Sequence, residues 1–117
     1  MKLINKDLNK LAIEFSSDEL EILDRVIEVP LSAFGLNELL AKTGLSLDKI
    51  KDIKRVIEIV MKENLLILTI SIIDYVNLRN IFKISCEIVD KNEMHALTAF
   101  TWEDALKMQK SLDSIKN

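Results

Sequence analysis

The sequence predicts an α+β fold with a helical first half, a small antiparallel β-sheet and a C-terminal helix. Apolar residues recur at helical spacing as far as residue 63, and the segment 65–73 is a continuous β-branched and apolar run. Apolar and polar residues then alternate along 82–89, as in a strand with one buried face. The 117 residues, 49% of them hydrophobic, are sufficient for one folded domain covering 1–117.

The first two helices are expected at residues 3–14 and 17–28. The segment 3–14 places apolar side chains at helical spacing, which gives it one face to bury. Ser16 with Glu19 three positions later has the pattern of a capping box, which starts the second helix. Pro30 is expected to end that helix because proline cannot continue an α-helix.

Two further helices are expected at 36–43 and 46–63, joined by a tight turn. Gly44 can adopt the left-handed conformation that closes the shorter helix. Ser46 is a suitable N-cap for the longer helix, whose inner face is apolar. Asn64 is expected to form a left-handed cap at its end, so the segment predicts a short helix, a turn and a longer amphipathic helix.

Strands are expected at 65–73, 81–89 and 94–100, followed by a helix from 102 to 115. The segment 65–73 is apolar on nearly both faces, as in a central strand. Residues 74–80 are a polar connection, and residues 90–93 are expected to form a hairpin turn. Thr101 is the expected N-cap of the final helix. The sequence shows no internal repeat and no linker.

Charge is unevenly distributed along this acidic chain, whose net charge is -3. That total argues against a general polyanion binder, because wholesale phosphate neutralisation needs a basic surface. The stretch 14–28 is mainly acidic, whereas 42–55 carries an excess of bases. A local basic patch for nucleic acid and a solvated helix face of mixed sign are both compatible with this pattern.

Enzymatic chemistry has little support in the sequence. His95 is the only histidine and is expected at the surface or at a hairpin end, while Cys86 is expected to be a small buried hydrophobe. We therefore predict no catalytic residues, no metal and no cofactor. A single cysteine and the absence of an apolar signal segment favour a cytoplasmic protein. The run 65–73 is too short to span a membrane, which needs about 20 residues, so no membrane association is expected.

One segment resembles a known superfamily. The sequence ELLAKTGLS at 38–46, followed by a helix and KENLL at 62–66, is similar to the turn and the closing segment of the winged helix-turn-helix superfamily. The resemblance covers about 17–89 and leaves 90–117 as a C-terminal extension. It implies a winged helix-turn-helix-like helical half, in which residues 46–63 form the recognition helix and residues 74–80 the wing.

The resemblance also implies a function, that of a small DNA-binding transcriptional regulator. In that superfamily the second helix of the motif enters the major groove. By position, the residues facing duplex DNA would be Lys49, Lys51, Asp52 and Arg55, with Arg79 on the wing near the backbone. Alternatively, the same bases form surface pairs with neighbouring carboxylates.

A second interpretation is a winged-helix-like module or adaptor that binds another protein and no DNA. The acidic character and the high aliphatic content fit this alternative. The final helix could also form a homodimer, since symmetric dimers are the commonest oligomers. The interface would consist of Trp102, Met108, Leu112 and Ile115. Packing of that helix on its own sheet is the other possibility.

Overall fold

The computed structural model describes residues 1–115 and has an α+β fold with a three-stranded antiparallel sheet in the order β1-β2-β3. One face of the sheet, with Leu11, Ile13, Leu68 and Ile70, is buried under the helices. The strands are β1 Lys2–Lys6, β2 Lys10–Glu14 and β3 Ile67–Ser71. The helices are α1 Ser17–Ile27, α2 Val29–Ala33, α3 Leu36–Thr43, α4 Leu47–Glu63, α5 Ile72–Ile88, α6 Met94–Thr98 and α7 Trp102–Ser114.

The helix predicted at 3–14 is wrong, because this segment forms the hairpin β1–β2. The Asp7 carboxylate accepts hydrogen bonds from the backbone N–H groups of Asn9 and Lys10, which closes the turn. Beyond it, Leu11 and Ile13 alternate with more exposed residues and are fully buried. The spacing of the apolar residues fits both the period of a helix and the period of a strand. The segment is a strand because it pairs with β3.

The strand predicted at 81–89 is also wrong, and so is the wing at 74–80. Residues 74–88 of these segments belong to α5, and the strand predicted at 65–73 is limited to 67–71. The Ser71 hydroxyl accepts the N–H of Asp74 and starts the helix directly after β3. Buried residues then follow at helical spacing, and the Ser85 hydroxyl donates to the carbonyl of Ile81. Packing of this face against α1 outweighs the strand-like local pattern.

The predicted strand 94–100 is replaced by the short helix α6, and the turn at 90–93 leads into that helix. The helices predicted at 17–28, 36–43, 46–63 and 102–115 are confirmed as α1, α3, α4 and α7. Caps account for their starts: Ser16 with Glu19, and Thr101 with Asp104, form complete capping boxes.

The turn between α3 and α4 has the predicted left-handed glycine and the predicted N-cap. Gly44 is left-handed at φ 73°, and Ser46 accepts the N–H of Lys49. The Thr43 hydroxyl lies inside the turn, where it donates to the Leu39 carbonyl at 2.7 Å and accepts the Leu45 N–H at 3.1 Å. The turn is therefore held by hydrogen bonds that a threonine at this position provides.

The same turn occurs a second time, between α6 and α7. The Thr98 hydroxyl donates to the Met94 carbonyl at 2.7 Å and accepts the Phe100 N–H at 3.1 Å. Ala99 is left-handed at φ 66°, and Thr101 is the N-cap of α7. Each residue of this second turn lies 55 positions after the equivalent residue of the first turn, as Thr98 does after Thr43.

The equivalence extends over most of the chain, so the expectation of no internal repeat is wrong. Residue n of a first unit, 10–60, corresponds to residue n + 55 of a second unit, 65–115, and we call these two residues counterparts. β2 corresponds to β3, α1 and α2 together to α5, α3 to α6, and α4 to α7. Buried residues coincide in the two units: Leu23 with Leu78, Ile27 with Phe82, Leu39 with Met94, Ile50 with Ala105, Ile57 with Leu112, and Val60 with Ile115.

The two units are related by an approximate two-fold axis through the sheet. In the antiparallel pair β2–β3, Ile13 lies opposite Leu68, its own counterpart. The contacts between helices are reciprocal as well: α1 packs on α4 as α5 packs on α7, and α3 touches α5 as α6 touches α1. The core is thus shared by two units that face each other as subunits of a symmetric dimer do. β1 lies outside this repeat and flanks only β2.

The two left-handed turn residues lead to a paired stability prediction. We expect Gly44→Ala to lower the free energy of unfolding by about 1 kcal/mol, and Ala99→Gly to raise it by about 0.5–1 kcal/mol. No atom lies within 4 Å of a Cβ added at Gly44, so the cost there is conformational. Urea denaturation of each variant measures both changes.

Ala96→Gly is the matched control for this pair, because Ala96 is exposed in the same short helix as the turn. It should destabilise the protein by about 0.5–1 kcal/mol, as glycine does in a helix interior. If Ala99→Gly also destabilises the protein, the left-handed conformation of residue 99 is not the relevant difference.

Candidate interaction surface

Helix α4 has an exposed face with basic, acidic and apolar side chains and a buried face that is apolar. Ile50, Ile53 and Ile57 are buried at helical spacing, which fixes the rotation of the helix. Its exposed face therefore carries the predicted DNA-facing side chains Lys51, Asp52 and Arg55 together with Asp48, Val56 and Ile59.

Lys49 is bound to a carboxylate of its own chain. Its Nζ lies 2.7 Å from Oδ1 of Asp74, at the start of α5. Hydrogen bonding to Asp74 raises the pKa of the Lys49 ammonium, which stays charged. A phosphate would have to displace Asp74 in order to use this cation.

Arg55 also has an intramolecular partner. Its Nη1 lies 3.3 Å from Oδ1 of Asp52, one turn earlier on the same exposed face. Arg55 is 68% exposed and Asp52 61%, so the pair is fully hydrated and contributes little to stability. The pair makes this part of α4 close to neutral.

Arg79 does not lie on a wing beside α4. It belongs to α5, and its Nε lies 3.9 Å from Oδ1 of Asp113 on α7. The five residues predicted to face DNA therefore divide into two groups. Lys49, Lys51, Asp52 and Arg55 share one helix, while Arg79 joins the α5–α7 contact of the second unit.

A charged cluster between α1 and α4 was missed by the sequence analysis. Lys54, 13% exposed, places its Nζ 2.6 Å from Asp24 and 3.1 Å from Glu58, with Glu28 at 3.6 Å. Burial lowers the pKa of Lys54, but the hydrogen bonds to Asp24 and Glu58 outweigh it and the net shift is upward. Only the i,i+4 spacing of Lys54 and Glu58 was visible in the sequence.

In the second unit, the corresponding cluster has its charges exchanged between the helices. The counterpart of Asp24 is Arg79, and that of Glu58 is Asp113, while Gln109 stands in place of Lys54. The cation thus comes from α4 in the first unit and from α5 in the second. Both arrangements place a cation between equivalent helices, α1 and α4 in the first unit and α5 and α7 in the second.

The residues of α7 that were predicted to form a dimer interface are packed into the core of a single copy. Met108, Leu112 and Ile115 are buried, and Trp102 is partly buried against the core. α7 packs on α5 and α1, and the Tyr75 hydroxyl donates a hydrogen bond to the Leu112 carbonyl. Burial raises the pKa of Tyr75 to about 12. This face of α7 is occupied within one copy, by helices rather than by the predicted sheet.

A different apolar surface is open to solvent, and we call it the α4–β3 surface. It consists of large apolar side chains on α4, on β3 and on the residues that flank β3: Val56, Ile59, Leu65, Ile67 and Ile73. Their exposed fractions run from 39% at Val56 to 73% at Ile73. α4 and β3 are neighbouring elements, separated in the chain by three residues. Several large apolar side chains exposed on neighbouring elements are typical of interaction sites.

The counterpart positions do not repeat the apolar character of the α4–β3 surface, which takes Val56 and Ile59 from the first unit and its other residues from the second. The counterparts of Val56 and Ile59 on α7 are Ser111 and Ser114. Ile73 corresponds to Asp18 and Ile67 to Ala12. The two units share their buried residues and differ here, so packing within the chain does not require the apolar side chains.

The remaining reactive side chains are not grouped into a site. Burial raises the pKa of the Cys86 thiol to about 11, which disfavours the reactive thiolate. No set of three or more His, Cys, Asp or Glu side chains in residues 1–115 is arranged to hold a metal ion. A membrane-spanning helix is likewise not found among these residues. Comparison with protein-family models, curated proteins and solved structures finds no match to this chain.

Proposed function

We propose that this protein is a protein-interaction module that binds its partner through the α4–β3 surface. The observation that carries the proposal is the contrast between Val56 and Ile59 and their serine counterparts on α7. An exposed valine and isoleucine on one unit only are explained by a partner that covers them. Burial of such side chains provides about 25 cal/mol for each Å² of apolar surface removed from water.

The charges of α4 also favour a protein partner over DNA. Specific and non-specific DNA binding both depend on cations that neutralise phosphates. Lys49 is bound to Asp74 and Arg55 to Asp52, and Asp48 lies exposed in the first turn. A phosphate backbone approaching this helix would meet carboxylates beside each of these bases.

Duplex DNA is the second candidate, and the turn geometry favours it. The turns at Thr43 to Ser46 and at Thr98 to Thr101 are equivalent in their hydrogen bonds and caps. A regulator would use α4 with Lys51 and Arg55, as the resemblance to winged helix-turn-helix proteins implies.

Site-specific photo-crosslinking separates these two functions. A benzoylphenylalanine replaces Ile59 in the full chain, expressed in the cells from which the sequence comes. Under the main proposal we expect discrete protein adducts on irradiation, since the ring sits within the contact surface. The same group at Ser114, the exposed counterpart on α7, is the matched control and should give few adducts.

Recovery of DNA instead of protein at position 59, or equal adducts at positions 59 and 114, would contradict the protein-interaction proposal. A direct assay on mixed duplex fragments at ~50 mM salt completes the test, because even non-specific contacts are strong there. We expect no binding. If binding occurs, Arg55→Ala should cost about 1–3 kcal/mol at a specific site, and Lys51→Ala should reduce the salt slope by about 1.

A further inference from the structure

The two edges of the sheet differ in the features that protect them against pairing with further strands. β1 forms one edge, and no strand within residues 1–115 pairs with the outer edge of β3. Natural proteins protect open edges with lysines and bulges, because an unprotected edge pairs with further strands. β1 has both devices, with Lys2 and Lys6 along the strand and a register shift between Leu3 and Asn5. β3 has neither, since the run from Leu65 to Ile73 contains no charged residue.

The two-fold relation shows what the open edge can accept. On the first unit, Glu14 and Ala12 of β2 lie opposite Lys2 and Asn5 of β1. The counterparts of Glu14 and Ala12 are Thr69 and Ile67, which lie on the open side of β3. The edge that β1 covers on β2 is therefore uncovered on β3.

The hydrogen-bond register of β3 leaves the required backbone groups available. The Leu66 carbonyl accepts the Phe15 N–H at 2.7 Å, and the Ile72 N–H donates to the Asn9 carbonyl at 2.9 Å. Since the bonding direction alternates along an antiparallel strand, Leu68 and Ile70 also bond toward β2. Ile67 and Thr69 then direct their N–H and C=O groups outward.

We propose that the open edge of β3 binds β3 of a second copy of this chain, antiparallel, with Thr69 opposite Thr69 of that copy. This rests on the proposed function and names its partner. In this register Ile67, which is 41% exposed, lies opposite Ser71 of the second copy. Leu65 and Ile73 flank the two ends of β3 and are 55% and 73% exposed, so apolar side chains are available on both sides of the pairing.

A second copy suits this edge because the strand is self-complementary. Pairing about Thr69 is isologous, so it closes at two subunits and joins the two sheets into one of six strands. No like charges meet across the contact, since none occur between Leu65 and Ile73. Pairing of β3 with the lysine-bearing edge of β1 would instead be heterologous and would lack the isologous closure at two subunits.

The test measures the mass in solution and the register separately. Light scattering at high micromolar concentration should give a mass near twice 13.4 kDa. Thr69→Lys should raise the dissociation constant about a hundredfold, because two ammonium groups then face each other at the centre of the contact. Asn5→Lys places the same charge on the β1 edge and should leave the dimer unchanged.

A disulfide test remains informative if a charged variant fails to fold. With Cys86 replaced by alanine, Thr69→Cys should form a disulfide-linked dimer under mild oxidation, since residues paired in this way have Cα atoms about 5.5 Å apart. Glu14→Cys, at the counterpart that β1 covers, should form no disulfide-linked dimer, because this residue lies away from the β3 edge.

A monomeric mass with no Thr69→Cys dimer would overturn the β3 pairing. That result and the failure of the proposed function are distinguishable. A monomer whose residue 59 crosslinks to a different protein keeps the interaction module and removes the dimer, whereas a monomer without protein adducts removes both.

Discussion

Replacing Leu68 by alanine is expected to lower the free energy of unfolding by about 2–5 kcal/mol. Leu68 is fully buried and lies opposite Ile13 at the two-fold axis, where the two units meet. Truncation leaves a cavity that neither unit can close alone. Ile13→Ala should have an effect of similar size, because Ile13 occupies the equivalent position. Urea denaturation followed by circular dichroism measures both losses.

Thr69→Ala is the control for these variants, since Thr69 is an exposed neighbour on the same strand. It should change stability by no more than about 0.5 kcal/mol. The double variant of Ile13 and Leu68 should lose less than the sum of the two single losses, because both enlarge one cavity. A loss below about 1 kcal/mol for either single variant would mean that the axis is not the packed centre of the fold.

Lys54→Gln is expected to cost about 1–3 kcal/mol, the usual penalty for removing a charged hydrogen-bond partner from a poorly exposed group. Asp24, whose side chain is 18% exposed, loses the ammonium group 2.6 Å away. Arg55→Gln breaks an exposed pair on the same helix and should cost at most about 0.5 kcal/mol. Chemical denaturation near neutral pH compares the two variants.

The charge exchange between the units provides a rescue experiment. Adding Asp24→Arg to Lys54→Gln copies the arrangement of Arg79, Gln109 and Asp113 into the first unit. The new guanidinium can then pair with Glu58 in place of the lost ammonium, and we expect more than half of the lost stability to return. If the double variant is less stable than Lys54→Gln, the two clusters are not interchangeable.

The sequence by itself determined the helices that begin at a local signal. Ser16, Ser46 and Thr101 each accept a backbone N–H three residues later, and these starts were predicted correctly. Gly44 and Asn64 close α3 and α4 in the left-handed conformation, also as predicted. The outward position of Lys51 and Arg55 followed from the apolar period of α4. All these features depend on residues within one or two turns of each other.

Tertiary structure decided the segments whose local pattern fits two periods. Leu11 and Ile13 suit a helix face or a strand, and only pairing with β3, more than 50 residues away, makes them a strand. The residues from Phe82 to Ile88 alternate as in a strand, yet packing on α1 makes them helical. Period alone cannot separate these cases in short apolar runs.

The ion pairs and the repeat depended on tertiary structure for a related reason. Lys49 meets Asp74, and Lys54 meets Asp24, across distances in sequence that no local pattern reports. The two units conserve burial and hydrogen bonding rather than identity, and Pro30 divides α1 from α2 where its counterpart Ser85 lets α5 continue. Leu20 and Tyr75 occupy equivalent buried positions with different side chains. A core position requires apolar volume and shape, which several residue types supply, so the repeat is visible only after folding.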